Sequence, residues 1–504
     1  MRRVEPRSLG KIAECVIFTD ARPSAALRRP KMNIAVKTFR PDRHPADTYE
    51  EILERDTRPV PDHLREGPVP DIGTEPVKID RYIDPAFARA EEKHLWPHIW
   101  QMACREEEIP NPGDVSIYEV AGKSLLVTRQ ADGGIRAFHN SCLHRARKLA
   151  TLPGCKNEFR CPYHGIAWNT DGSFKDNPIA WDFPQWEGKD VSLPEALVDT
   201  WGGFVFINFD RSAPPLASVL NPLQEHFERY DLENCYIDFH VQKLVPCNWK
   251  AAAEAFMESH HALTTHPQLL PYLADVNSQY DVLSDHVTRQ FTAQMVPSPY
   301  VTREYTQQEI MQAMMGVGSR SRAAVEGPAD DIQIPDGVSA RAFVADMSRK
   351  TIGDEDGHDY SAASDAEMVD ALLYNVFPNM SFWAGYMPKL FYRWRPNGND
   401  HDTSIMDIYL LKRVPKGAAR PKPAPVFEIG LEESVLEMGP HAGMSVGLAA
   451  VFEQDMANLP HVQSGMKASE IGVLNFGRYA EMRIRLMHQM IDRYMARSMA
   501  AAAS

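Results

Sequence analysis

A chain of 504 residues, 44% of them hydrophobic and 24% charged, has an ordinary globular composition and length enough for two or three domains. Its net charge of −14, with no sustained basic stripe, argues against nucleic acid or an anionic membrane surface as a partner. No apolar run approaches the roughly 20 residues that cross a bilayer, and seven cysteines, an odd and sparse set, point to free thiols in a reducing, cytoplasmic compartment.

The first residues carry arginines around a broken apolar core and make a weak signal peptide. Met32 is an alternative start, which would leave the residues before it as an extension. Residues 40–75, rich in Pro, Asp, Glu and Arg, predict an extended solvated arm, so 1–75 is read as an N-terminal extension. The stretch DPAFARAEEKHLWPHIW then repeats apolar residues at three and four and predicts a helix. From about 113 the period drops to two in DVSIYEV, KSLLVTR, GIRAFHN, FRCPYHGIAWN and GGFVFINF, with turns at Asp132-Gly133-Gly134 and Asn169–Gly172. These runs predict a small all-β domain, bounded at 76–210. Residues 211–504 read as a larger α+β domain. It opens with a helix over NWKAAAEAFMESHHALTTHP and includes a polar excursion of little periodicity at 300–368. Strand-like runs NMSFWAGY, KLFYRWRP and SIMDIYLLKRV follow, before a helical C-terminus.

Two Cys–His pairs sit on turns of the β domain. Cys142 and His144 are spaced C-x-H and, sixteen residues on, Cys161 and His164 are spaced C-x-x-H. A structural zinc site is the simpler rival, but zinc fingers pair Cys with Cys and His with His along the chain. One thiolate and one imidazole per loop suit two sulfide-bridged irons, one taking both cysteines and the other both histidines. The stretches HNSCLHRARKL and FRCPYHGIAWNTDGSF resemble the Rieske [2Fe–2S] domain of ring-hydroxylating oxygenases. Ala146 departs from that pattern, where relatives more often have Gly. Cys155, between the loops, reads as a structural thiol.

A Rieske centre moves one electron and needs an acceptor. His261 and His266 lie five apart, ahead of Pro267, and two imidazoles plus one carboxylate make the open-sided non-haem Fe(II) site that takes O₂. The segment resembles the oxygenase signature N-W-K-x-x-x-E-N-F-x-E-x-Y-H-x-x-x-x-H-P, with Ala255 and His260 as departures. The register favours His261 over His260, which falls about 100° around a helix. The resemblance further implies Asp455 as third ligand, eight residues before Gln463-x-Gly465, with Glu453 as the fallback. Relatives often carry two consecutive acids here, whereas this chain has Asp455-Met456. It also implies that Glu258 accepts hydrogen bonds from His261 and from a cluster histidine, His164.

The resemblance implies an α subunit of a Rieske non-haem iron oxygenase: a Rieske domain before a helix-grip-like, START-like α+β catalytic domain built on an antiparallel sheet. The implied cofactors are a [2Fe–2S] cluster and mononuclear Fe(II). The implied partners are a separate reductase or ferredoxin, O₂ and a small apolar or aromatic substrate, in a head-to-tail homotrimer or an α3β3 assembly. The leading expectation is cis-dihydroxylation; the alternatives are monooxygenation with O- or N-demethylation and, from another class, an electron carrier without oxygen chemistry. The pattern around Gly316 and Gly318 lacks a third glycine and a preceding strand, so no nicotinamide site is expected. Arg145, Arg147, Lys148, Lys156 and Arg160 form a candidate docking spot for an acidic donor, with ordinary surface charge as the alternative. Met257, Leu263, Phe377, Phe382 and Trp383 are candidate pocket residues, with core packing as the alternative for each, and the 300–368 excursion is a candidate cover.

Overall fold

The computed structural model describes residues 44–318 and 332–503. The segment preceding and including Met32 lies outside the described residues, as does the middle of the 300–368 excursion. Of the arm expected over 40–75, the described part up to Leu64 packs on the body of the protein, while residues 66–76 run without regular structure and mostly exposed, as expected. Helix α1 (Tyr49–Leu53) starts in a capping box in which Thr48 and Glu51 exchange hydrogen bonds. Its Tyr49, Ile52 and Leu53, at the i, i+3, i+4 spacing of one helix face, are buried. The Tyr49 hydroxyl donates to Asp370 at 2.9 Å. The charged residues between these apolar ones had masked the stripe. Strand β1 (Val77–Lys78) and helix α2 (Asp80–Ile83) follow, then α3 (Pro85–His94), capped by Asp84 with Pro85 at its first position.

The β domain forms as its alternation predicts. Strands β2 (Gln101–Arg105), β3 (Asp114–Val120), β4 (Lys123–Arg129), β5 (Ile135–His139) and β6 (Gly154–Cys155) come first. A small sheet of β7 (Phe159–Arg160), β8 (Ala167–Trp168) and β9 (Phe174–Asp176) follows, before β10 (Glu195–Trp201) and β11 (Phe204–Asn208) return to the first sheet. That seven-stranded sheet has the order β2-β11-β10-β5-β4-β3-β6. Cys155, expected as a structural thiol, lies on β6 and is exposed.

Helices α4 (Leu216–Leu220) and α5 (Leu223–Phe227) lead to β12 (Cys235–Val245). The helix expected across 248–267 is two short helices, α6 (Trp249–Glu254) and α7 (Ala262–Thr265), with a turn between them. Tertiary bonds displace the helical ladder there. Ser259 N–H donates to the Tyr280 hydroxyl at 3.2 Å, its Oγ donates to the Asp275 carbonyl at 2.7 Å, and Glu258 takes the His261 N–H at 3.1 Å.

Strands β13 (Gln279–Val282) and β14 (Val287–Thr292) precede the excursion, whose described residues are largely helical: α8 (Gln307–Gly318), α9 (Ala340–Asp356) and α10 (Asp365–Val369). Ser339 caps the start of α9 and Gly357 its end in the left-handed region. Met311, Met315, Val344, Ala345 and Ile352 share one apolar cluster. This burial stabilises segments whose polar majority had hidden their period.

Strands β15 (Ala371–Val376), β16 (Met380–Trp383), β17 (Lys389–Asn397), β18 (Asp400–Arg413) and β19 (Val426–Ile429) complete an eight-stranded sheet of order β13-β14-β15-β16-β17-β18-β12-β19. Its pairs are antiparallel except β12 with β19, which is parallel. Helices α11 (Val435–Met438) and α12 (Val446–Ala468), strand β20 (Val473–Leu474), which pairs with β1, and helix α13 (Met482–Ala503) finish the chain.

The pleat decides what this sheet holds on each face. Leu372, Tyr374, Phe382, Phe391, Tyr409 and Leu411 pack with α1, α5 and the Met102–Phe204–Phe206 side of the β domain. Burying rings such as Phe382 and Phe391 contributes roughly 1.5–3 kcal/mol each. Their neighbours in sequence, Leu373, Leu390, Tyr392, Met406 and Ile408, pack with α6 and α12 on the other face. The cavity described below lies on that second face.

Candidate active site

The two Cys–His loops are built alike. Cys142 N–H donates to the Arg147 carbonyl and Ala146 N–H to the Cys142 carbonyl, both at 2.9 Å. In the second loop Cys161 N–H donates to the Ile166 carbonyl at 2.8 Å and Gly165 N–H to the Cys161 carbonyl at 3.0 Å. Both thiols are buried and neighbouring, and burial pushes the Cys142 thiol up. The His144 and His164 rings lie with centroids 4.7 Å apart. The Nδ1 atom of His144 is buried and has no hydrogen-bond partner, an arrangement that costs free energy unless the atom ligates something. Paired thiols beside paired imidazoles fit a two-iron cluster, and all four sequence-expected residues meet here. Of the five cations around them, Lys148 pairs with Glu119, and Arg160 with Glu158 and Asp176, so part of the expected basic spot is neutralised locally.

The second centre joins α7 to α12. Among the described residues, His261, His266 and Asp455 offer ligand atoms that all lie within 4.8 Å of one another. Asp455 Oδ1 is 2.9 Å from His266 Nε2 and 3.6 Å from His261 Nε2. The outer ring nitrogens are held by oxygen acceptors: His261 Nδ1 by Glu258 Oε1 at 2.6 Å, and His266 Nδ1 by Gln454 Oε1 at 2.8 Å. Each Nδ1 proton is thus directed at an outer acceptor, which reserves Nε2 for a cation; without one, His266 Nε2 stands at hydrogen-bond distance from Asp455 Oδ1. Three converging acceptors with fixed outer contacts fit a divalent cation. Glu453, the fallback ligand, is occupied elsewhere: its Oε2 accepts from Ser434 Oγ at 2.9 Å and from Leu436 N–H at 3.1 Å at the start of α11.

Glu258 meets His261 as expected, and its second oxygen lies 2.9 Å from His260 Nδ1. Burial opposes its charge, but the hydrogen bonds from His260 and His261 prevail and hold its pKa at about 2. No residue of either cluster loop is among its hydrogen-bond partners in the described chain. Sequence reasoning missed Gln454, whose partner His266 is distant in sequence.

The triad opens on a cavity of about 230 Å³ between the sheet and α12. Its walls include Phe256, Leu373, Trp383, Tyr392, Leu410 and Phe452, and α8 adds Met314. Of the candidate pocket residues only Trp383 lies here. Phe382 is one position out of phase and points to the opposite face, Met257 and Phe377 are in the core below α13, and Leu263 is exposed.

Comparison with known proteins agrees with this architecture. The profile of the ring hydroxylating alpha subunit (catalytic domain) matches residues 224–497, and that of the Rieske [2Fe-2S] domain matches 99–187. The chain belongs to the ring-hydroxylating oxygenase α subunits, whose cofactors are a Rieske [2Fe–2S] cluster and a non-haem iron. It is 32% identical to chlorobenzene dioxygenase subunit alpha of Cupriavidus sp. (strain PS12) over 191 residues, 36% of this chain and 42% of that one. It is 28% identical to the glycine betaine monooxygenase oxygenase subunit of Pseudomonas aeruginosa (strain UCBPP-PA14) over 244 residues, 48% of this chain and 55% of that one. The chain thus spans about half the length of these relatives. Among solved structures, the quaternary ammonium Rieske monooxygenase CntA in complex with an inhibitor shares the fold with a TM-score of 0.59 at 15% identity, covering 86% of this chain and 100% of that one. Naphthalene 1,2-dioxygenase with indole in its active site gives 0.55 at 19% identity, covering 85% and 94%. Among the described residues, no helix is long and apolar enough to cross a membrane.

Proposed function

We propose that the chain is the terminal oxygenase of a multicomponent system fed from NAD(P)H through a separate reductase, with or without a ferredoxin. Cys142 and Cys161 hold one iron of the cluster and His144 and His164 the other; His261, His266 and Asp455 hold the mononuclear iron. The observation that carries this reading is the convergence of those three side chains on the wall of an apolar cavity. A pure electron carrier has no need of it.

When bound, the cluster supplies single electrons and the mononuclear iron supplies the centre at which dioxygen is reduced. The protein's own groups do the rest. Glu258 and Gln454 fix both ring orientations and tautomers, and Leu373, Trp383, Leu410 and Phe452 exclude water and hold an apolar substrate beside the histidines. Cavities of about 150 Å³ admit a single benzene ring, so this one suits a substrate of one ring with small substituents. An uncharged ring so held supports cis-dihydroxylation. A specific observation favours a second reading: Phe256, Tyr392 and Phe452 form a trio of rings with centroids 5.3 to 6.0 Å apart, a surface that attracts an N-methylated cation. Hydroxylation of such a methyl group would end in its loss as formaldehyde.

Glu258, at the edge of this centre, would meet His164 of the partner subunit in a head-to-tail trimer. Single turnover of reduced enzyme with aromatic hydrocarbons, methoxy-arenes and quaternary ammonium compounds tests the reading. Dihydroxylation adds two oxygens and two hydrogens to the product mass, and demethylation removes CH₂. An iron-replete enzyme that oxidises none of these classes would sink the proposal.

A further inference from the structure

Gln454 precedes Asp455 on α12 and accepts from His266 Nδ1 at 2.8 Å. The same Oε1 accepts from Gln268 Nε2 at 2.6 Å, and Gln454 Nε2 donates back to Gln268 Oε1 at 3.3 Å. The two amides pair reciprocally, and the pairing orients Gln454: with its nitrogen facing the Gln268 oxygen, its oxygen faces the Gln268 nitrogen and the imidazole together. Gln268 lies just beyond Pro267, where the chain leaves α7, so the pair ties the segment carrying His266 to the helix carrying Asp455.

The two histidines are supported unequally. His261 Nδ1 faces a carboxylate at 2.6 Å, whereas His266 Nδ1 faces a neutral amide. A carboxylate behind an imidazole raises its basicity toward a metal; an amide fixes the ring and tautomer without that push. We propose that Gln454, braced by Gln268, is the positioning residue of His266, and that its neutrality makes His266 the weaker donor of the two imidazoles. This rests on the reading of His261, His266 and Asp455 as metal ligands.

The test is calorimetric titration of Co(II), standing in for Fe(II), into the full cluster-loaded chain stripped of its mononuclear metal. Gln454→Leu is expected to weaken Co(II) binding by roughly 10–100-fold. Gln454→Glu, which supplies the missing charge in the same shape, is expected to bind Co(II) more tightly than wild type, a gain that a purely structural role would not produce. Gln268→Leu, which leaves Gln454 in place, should weaken binding in the same direction by a smaller factor and carries the test if Gln454→Leu does not fold. A Gln454→Leu affinity within about twofold of wild type, or a Gln454→Glu affinity no tighter than wild type, overturns the inference. If instead wild type binds no Co(II), or His266→Ala binds it as well as wild type, the ligand reading itself falls and takes this inference with it.

Discussion

Ala146 and Gly165 occupy matching places in the two cluster loops, each four residues after its cysteine and each in the left-handed backbone region, with φ of 56° and 78°. Only one of them is a glycine. An L-residue in that region costs roughly 1–2 kcal/mol through the contact of its Cβ with the backbone. The loop pattern shared by the two Cys–His motifs thus requires a turn that Ala146 forms under strain.

Ala146→Gly is therefore expected to stabilise the protein by about 1 kcal/mol, after allowing for the greater freedom of glycine in the unfolded chain. The reverse change, Gly165→Ala, adds the strain and places a Cβ 3.3 Å from the Pro178 ring, so it should destabilise by at least as much. Chemical denaturation of the cluster-loaded protein reads both; a lower midpoint for Ala146→Gly would contradict the account.

His261→Ala removes one of three converging ligands and leaves the cluster loops untouched. The purified variant should lose the mononuclear iron, dropping from about three irons per chain to about two. Its acid-labile sulfide and the EPR signal of the reduced cluster should persist. Loss of both metal centres together would mean that the two sites are not separate.

Glu258→Gln keeps a hydrogen-bond acceptor for His261 but removes the charge that its two histidine neighbours stabilise. Metal content should stay close to wild type while oxygen turnover falls by roughly tenfold or more, because the change weakens the support of His261 and, in the proposed trimer, the contact with the neighbouring cluster. Equal loss of iron and activity would reduce Glu258 to a structural role.

The neutral pair His63 and His226 makes the fold acid-sensitive. Their rings lie 5.3 Å apart, and burial first, then neighbouring positive charge, depresses their pKa values from 6.5 to about 3 and about 4. The unfolded chain takes up these protons below pH 6.5 and the folded chain does not. The stability they contribute is complete above that pH and falls as pH drops, toward about 4 for His226 and about 3 for His63. Between pH 7 and pH 5 the loss should be on the order of 1–2 kcal/mol for the pair, discounted for partial exposure. In His63→Gln the urea midpoint should depend less steeply on pH over that window.

Local features were the legible ones. Cys142, His144, Cys161 and His164 lie on turns whose spacing is set by short-range geometry, and strands such as β3, β4, β17 and β18 alternate plainly enough to be read from period alone. What depended on distant partners was hidden. The turn between α6 and α7 exists because Tyr280 and Asp275 supply the bonds that a helix would otherwise make. Tyr49, Ile52 and Leu53 look like part of a charged arm until Phe291 and Asp370 are beside them. Phe382 and Trp383 are adjacent and similar in type, yet the pleat sends only the second to the cavity. Gln454 could have been singled out only by knowing that His266 lies opposite.

Asp455 reaches His266 across 189 positions of sequence, whereas every strand of the seven-stranded sheet is complete by Asn208. On a ribosome that makes the chain from its N-terminus, both Cys–His loops have emerged long before Asp455, the proposed third ligand, exists. On the proposed ligand assignment maturation has a built-in order: the residues that would hold the sulfide cluster are made first, while the mononuclear metal must wait for Asp455 to emerge.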